Sequence, residues 1–296
     1  MNLPVASPAE WLAGARPRTL PAAVAPVLAG TGVAVYVGGE VWWKALLALV
    51  VSLALQVGVN YANDYSDGIR GTDADRVGPM RLVGSGVARP GAVKAAAFLS
   101  FGVAAAAGLV LAVTTAWWLV AVGLVSIVAA WFYTGGTRPY GYAGLGEVVV
   151  FVFFGLVAVV GTTYVQTETF EAAALAASVG IGALACAILV ANNLRDIPTD
   201  REVGKRTLAV RLGDGATRGL YAGLALAAIV AGVAVAALTT PWALVALAYA
   251  AYAAPAARVV LEGANGPALV PVLQQTGLAE LVFGGGLFVG LLIGQA

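Results

Sequence analysis

Residues 42–67 read WWKALLALVVSLALQVGVNYANDYSD. From Trp42 to Ala62 the only charge is Lys44, and about 20 mostly apolar residues are what a helix needs to cross a bilayer core. The end of the run is unusual. It passes with no turn residue into Asn60, Asn63, Asp64 and Asp67. If the helix persists, these stand at i, i+3, i+4 and i+7 and share one face. An apolar span that terminates in a stripe of oxygen ligands is the unit from which the rest of the chain is read.

With that run included, nine of the same kind lie near 20–38, 41–62, 93–113, 116–133, 146–165, 173–193, 218–239, 241–261 and 277–294. The fold class expected is therefore all-α: nine transmembrane helices in a bundle, one domain over 1–296. Composition agrees, since 60% of the 296 residues are hydrophobic and 10% charged, against about 25% charged in soluble domains. Abundant Gly and Ala suit close helix contact, and the apolar runs lack the period of two that a β-barrel needs. Nothing reads as a cleaved leader, because the first apolar run contains Pro21 and Pro26 and leads into further spans. The absence of histidine excludes Ser-His triads, HExxH zinc sites and His-ligated haem, and a single cysteine excludes an internal disulfide. A net charge of +1 argues against a nucleic-acid partner.

Nine crossings with the N-terminus inside leave fifteen of the sixteen Lys and Arg on the inner side, with Lys44 alone outside. That asymmetry is what the positive-inside rule requires. It places the C-terminus outside an integral cytoplasmic membrane protein. Trp42, Trp43, Trp117, Trp118 and Trp242 then read as outer interfacial anchors.

Nineteen of the 31 charged residues sit in 60–94 and 195–218, so two inner segments, 60–94 and 192–218, are candidate functional loops. The second opens with Asn192, Asn193, Arg195, Asp196 and Asp200. Asn193, Asp196 and Asp200 fall at i, i+3 and i+7, with Pro198 expected to distort the turn. Asn-x-x-x-Asp occurs at Asn60/Asp64, at Asn63/Asp67 and at Asn192/Asp196, which suggests a pseudo-repeat of aspartate-rich helix ends. Single acidic residues at helix ends are ordinary caps, whereas two matched stripes at one membrane face are not. Stripes of oxygen with no nitrogen suit Mg²⁺ or Ca²⁺, and Mg²⁺ commonly combines one or two carboxylates with substrate phosphates. Two facing stripes would hold a pair of ions from Asn60, Asn63, Asp64, Asp67, Asn193, Asp196 and Asp200. Arg70, Arg76, Arg81, Arg138, Arg195, Arg201, Lys205 and Arg206 could bind a polyanion beside them.

These motifs resemble the two aspartate-rich motifs of the UbiA superfamily of intramembrane prenyltransferases. Asn63-Asp64-x-x-Asp67 with Asp73 matches the first, and Asp196-x-x-x-Asp200 the second. The resemblance runs from Arg16-Pro-Arg-Thr-Leu-Pro21 to the end of the second loop. Longer strings, NYANDYSDG over 60–68, DRVGPMRLVGSG over 75–86, YTGG from Tyr133, PYGY over 139–142 and LRDIPTDREVGKRTLAVRLG over 194–213, are similar to the MenA branch of that superfamily. The resemblance implies a central cavity open to lipid and Mg²⁺-dependent transfer of a prenyl group from polyprenyl diphosphate to 1,4-dihydroxy-2-naphthoate. It also implies loss of the acceptor's carboxylate and a place in menaquinone biosynthesis. No protein partner is implied. Both frames of the first motif stay open, with Asp64 taken as common to them.

On that reading the catalytic candidates are Asp64, Asp67, Asp196, Asp200, Arg138, Lys205 and Tyr133. Arg70, Arg76, Arg81, Arg195, Arg201 and Lys205 would hold the prenyl diphosphate. Tyr61, Tyr65, Tyr133, Tyr140 or Tyr142 would face the allylic cation with their rings. A carboxylate, a diphosphate oxygen or water remains as the base. Tyr133-Thr-Gly-Gly reads equally as a phosphate-approaching loop or a helix stop. Glu280 reads as reaching the inner interface, and Cys186 as packing. A different aromatic acceptor, 4-hydroxybenzoate or homogentisate, is the nearest alternative. A secondary transporter would instead want its carboxylates at mid-depth.

Overall fold

The computed structural model describes residues 6–71 and 80–295, and among them every regular element is helical. In chain order these are α1 (Pro8–Ala15), α2 (Pro21–Tyr36), α3 (Trp42–Arg70), α4 (Pro90–Thr114), α5 (Trp118–Phe132) and α6 (Gly146–Thr167). There follow α7 (Ala172–Glu202), a short α8 (Leu208–Leu212), α9 (Asp214–Leu238), α10 (Pro241–Leu261) and α11 (Gly266–Gln295). Each of the nine apolar runs falls on one of these helices. Among the described residues seven helices are long and apolar enough to cross a bilayer, and the pair Pro8–Thr19 and Pro21–Tyr36, bent by 49°, would make an eighth. α5, at 15 residues, is shorter than the about 20 that a straight crossing takes.

α2, α7 and α11 form the centre, through Ala25, Ala29 and Val33, Ala177, Ile181 and Leu184, and Phe283, Leu287 and Leu291. Apolar burial gives little drive between helices in lipid, so contact depends on how closely backbones approach. Gly284 of α11 lies so near α2 that a Cβ there would meet the Ala25 carbonyl oxygen at 2.4 Å. Gly155 of α6 does the same to α7, with Ser178 O at 2.6 Å. From Phe151 to Val160, α6 is wound as a π-helix, a geometry often found at functional sites.

α3 and α7 have 29 and 31 residues. At about 1.5 Å per residue each is roughly 45 Å long, well beyond the about 30 Å hydrocarbon core. Their polar C-terminal ends are therefore helix, not loop. α7 continues through Pro198 to Glu202, so the expected distortion does not break the second stripe. Trp42, Trp43, Trp117, Trp118 and Trp242 are exposed and, by position along α3, α5 and α10, mark the opposite end of the bundle.

Candidate functional site

A cavity of about 880 Å³ opens where α3 and α7 emerge. α7 lines it with a helical stripe from Ala185 through Ile188, Leu189, Asn192, Asn193, Arg195, Asp196 and Thr199 to Asp200 and Glu202. Facing it on α3 are Gln56, Asn63 and Asp67, with Arg81, Tyr133, Tyr142, Lys205, Arg16 and Arg18 completing the wall.

The first motif divides. At about 100° per residue, Asn63 and Asp64 diverge by that angle, so one cavity cannot receive all four side chains equally. Asn63 and Asp67 line the cavity. Asp64, 1% exposed, turns the other way, and its carboxylate accepts the backbone N–H groups of Leu82 at 2.8 Å and Val83 at 2.9 Å. Asn60 donates to Ala15 O at 2.9 Å and Thr19 Oγ1 at 3.0 Å, and Gln56 donates to the same hydroxyl. Those bonds tie the Arg16–Thr19 turn, in which Arg16 has φ 55°, to α3. The four residues are thus not equivalent: Asp64 holds the Leu82–Val83 backbone, Asn60 holds Ala15 O and the Thr19 hydroxyl at the edge of a second cavity, and Asn63 and Asp67 face this one.

Asp67 joins the two motif helices. It accepts from the Tyr142 hydroxyl, Arg81 Nη2 stands 3.5 Å away, and Lys205 Nζ reaches it at 4.0 Å from the segment after α7. Lys205 also sits 4.5 Å from the centre of the Tyr142 ring, a cation–π arrangement. On α7, Arg195 forks onto Asp196 at 2.6 and 2.7 Å and onto Asn192 Oδ1 at 2.9 Å. Thr207 donates to Asp200 at 3.4 Å. Among the described residues no three Asp, Glu, Cys or His side chains gather as a metal site by themselves. A divalent cation here would take carboxylate and amide oxygens from both helices and complete its shell with a ligand's own oxygens, as Mg²⁺ does with phosphates.

The remaining candidates separate by exposure. Arg70 lies outside the cavity wall, donates to the carbonyls of Thr134 and Gly136 and packs over the Tyr142 ring, so it anchors the loop after α5. Thr134 in turn donates to Asn63 Oδ1 at 2.7 Å. The Tyr133-Thr-Gly-Gly segment thus ends α5 with its carbonyls held by α3, and Tyr133 and Thr134 line the cavity. Arg138 and Arg201 are exposed and stand outside the wall of this cavity. Arg76, Asp73 and Asp75 lie outside the described residues. Glu280 does not reach the interface: it is 0% exposed within α11.

A second cavity of about 340 Å³ continues inward, lined by α3, α5 and α6 through Leu55, Leu119, Val122, Ser126, Phe153 and Val157. Gln56, Asn63, Tyr133, Val150 and Phe154 belong to both walls, so a charged chamber meets an apolar one across a Tyr–Phe waist. Tyr133 packs edge-on against Tyr140, 5.6 Å between centres. Tyr140 donates to Ala129 O at 2.6 Å, and burial holds its phenol above the ordinary range.

Sequence reasoning missed Gln56, Tyr142 as an Asp67 partner, the Arg16–Arg18 turn and Glu147. The last had a visible signal, since a carboxylate in the first turn of an otherwise apolar span is costly to hold without a purpose.

Fold and cavity together define a polytopic helical membrane protein in which a charged chamber opens into an apolar one. The sequence profile of the UbiA prenyltransferase family matches residues 23–268, and the chain belongs to that family. It is similar to the 1,4-dihydroxy-2-naphthoate octaprenyltransferase of Mycobacterium tuberculosis, 58% identical over 98% of this chain and 99% of that one. Among solved structures, an apo UbiA homologue from Aeropyrum pernix K1 superposes with a TM-score of 0.71 at 14% identity, covering 90% of this chain and 97% of that one. A UbiA homologue from Archaeoglobus fulgidus, bound to GPP and Mg²⁺, gives 0.68 at 14% identity, covering 95% and 99%. At those identities the two structures establish the fold.

Proposed function

We propose that the chain is a Mg²⁺-dependent prenyltransferase that moves a polyprenyl group from its diphosphate to 1,4-dihydroxy-2-naphthoate with loss of CO₂, a step of menaquinone biosynthesis. The observation that carries the reading is the pair of joined chambers, one lined by Asp, Asn, Arg and Lys and the other apolar. They match a diphosphate and its hydrocarbon chain. The near full-length likeness to a naphthoate octaprenyltransferase supports the acceptor.

Asn63 and Asp67 on one side and Asn193, Asp196 and Asp200 on the other would hold two Mg²⁺ ions. Bound Mg²⁺ supplies neutralisation of the charge that grows on the departing diphosphate. Arg81, Arg195 and Lys205 add preorganised hydrogen bonds where that charge develops. Arg195 and Lys205 rest on Asp196 and Asp67 and would exchange those partners for diphosphate oxygens. Tyr133 and Phe154 at the waist keep water from the allylic carbon, and the Tyr133 ring offers its negative face to the cation.

The acceptor then balances the reaction without a protein base. The naphthoate ring carbon that bears the carboxylate forms the new C–C bond to the allylic carbon. Its bond to the carboxylate carbon breaks, that electron pair restores the aromatic ring, and CO₂ leaves. One negative carboxylate cancels one positive allyl group, so no proton has to be removed from ring carbon. A 4-hydroxybenzoate acceptor would need a base for its ring proton.

The sequence pattern further supports nine crossings of the cytoplasmic membrane, with the N-terminus and the 60–94 and 192–218 segments cytoplasmic and the C-terminus outside. The chain acts as one unit on this reading. The test is purified protein in detergent with labelled polyprenyl diphosphate, with and without Mg²⁺, against naphthoate and benzoate acceptors. Mg²⁺-dependent product with stoichiometric CO₂ from dihydroxynaphthoate is expected. Turnover of 4-hydroxybenzoate in its place would refute the acceptor, and no prenyl transfer at all would refute the activity.

A further inference from the structure

Glu147 begins α6, 7% exposed and absent from both cavity walls. Its Oε1 accepts the Asn193 side-chain N–H at 2.9 Å, and its backbone carbonyl accepts the Cys186 thiol at 3.0 Å. Cys186 and Asn193 are seven residues apart on α7, so they lie one above the other on one face. Glu147 Oε2 is buried and has no hydrogen-bond partner among the described residues. A half-satisfied carboxyl between membrane helices is expensive, and such groups are kept for function.

An Asn side chain has one acceptor and one donor end. With Nδ2 spent on Glu147, behind the wall, the atom that Asn193 offers to the cavity is Oδ1. Its neighbour Asn192 is committed differently, its oxygen taken by Arg195. We propose that Glu147 is a positioning residue that fixes the Asn193 amide with its oxygen toward bound Mg²⁺; this rests on the reading of the site given above. Without Glu147 the amide is free to rotate and present N–H to a cation, which repels it.

The test titrates Mg²⁺ into the full chain in detergent with two readouts, prenyl transfer and, without turnover, the rise in thermal midpoint in the presence of inorganic diphosphate; the two half-saturation points should move together. Removing the group that orients a metal ligand typically weakens the metal about 10–100-fold. Glu147→Ala should raise the Mg²⁺ concentration for half-maximal rate by about that factor, with kcat at saturating Mg²⁺ held within about threefold. Glu147→Gln should restore the wild-type Mg²⁺ dependence, because its carbonyl oxygen still accepts from Asn193. Asn193→Ala and the double Asn193→Ala/Glu147→Ala should match each other, since coupled residues are non-additive. If Glu147→Ala does not fold, Asn193→Asp serves. It sets carboxylate against carboxylate, and the added Glu147→Gln, now a donor, should recover activity. Wild-type Mg²⁺ dependence in Glu147→Ala, failure of Glu147→Gln to rescue, or no recovery in the double variant would overturn the proposal. Absence of turnover by the unmodified chain would instead overturn the prenyltransferase reading.

Discussion

Asp64 and Asp67 are one turn apart in the same motif, and the structure assigns them different work, so substituting each separates fold from chemistry. Asp64 accepts two backbone N–H groups, from Leu82 and Val83, at 2.8 and 2.9 Å in a fully buried setting. Hydrogen bonds to a charged partner contribute about 1.5–3 kcal/mol each, and buried donors left without acceptors cost a similar amount. Asp64→Ala should therefore destabilise the protein by roughly 3–6 kcal/mol, a fall in thermal midpoint on the order of 10 °C for a chain of this size. Asp64→Asn should do nearly as badly, because the amide NH₂ would confront one of the two N–H donors. Asp67→Ala takes the partner from Tyr142, Arg81 and Lys205 and should lower the midpoint as well, so the two variants are told apart by their response to ligand. The assay is thermal unfolding in detergent with and without Mg²⁺ plus inorganic diphosphate, which at a hundredfold excess over Kd stabilise a binding-competent protein by about 2.7 kcal/mol. Asp64→Ala should start low and still rise on adding these ligands, while Asp67→Ala should fail to rise from whatever midpoint it starts at. A wild-type midpoint in Asp64→Ala with the ligand-induced rise abolished would refute the division and make Asp64 the metal ligand.

Lys205→Ala should lower kcat/KM for prenyl diphosphate by about 10–100-fold, the loss of one charge-assisted bond, read in steady-state kinetics with the donor varied. Arg138→Ala and Arg201→Ala, exposed and off the cavity wall, should stay within about twofold of wild type in the same assay, as surface changes usually do. Gly123 lines the apolar chamber, and open space surrounds the position its Cβ would take. Gly123→Phe should fill that space and shift preference from long to short prenyl donors in a chain-length series, with little change for a geranyl group.

The helices were legible because each span is a long apolar run, and the site's neighbourhood was legible because its charges are crowded into two short segments. The face each motif residue takes was not. The i, i+3, i+4, i+7 rule names a broad face, yet about 100° separates Asn63 from Asp64, and which side meets the cavity depends on the Leu82–Val83 backbone folding against α3. The place of Arg70 was hidden for a related reason. A basic residue beside an acidic motif suits a diphosphate, but its guanidinium is consumed by two carbonyls of the loop after α5. Glu280 looked interfacial from its place in the run, and only the packing of α11 at the centre of the bundle buries it. In each case the deciding partner is distant in sequence.

The position of the site follows from helix length. α3 and α7 outrun the hydrocarbon core, so their last turns stand where water and cations are available while their walls continue into lipid depth. The reaction proposed needs both solvents on one molecule. A diphosphate must be held by ions and guanidinium groups, and an allylic cation must be kept from water until the acceptor reaches it. Asn63, Tyr133 and Phe154 sit at the seam, shared by the charged and the apolar chamber, so the bond that breaks would lie there. A histidine base at that seam would be a nucleophile beside a carbocation. With CO₂ as the departing group no base is required, and the absence of histidine from the chain is consistent with chemistry in which the acceptor supplies its own electron pair.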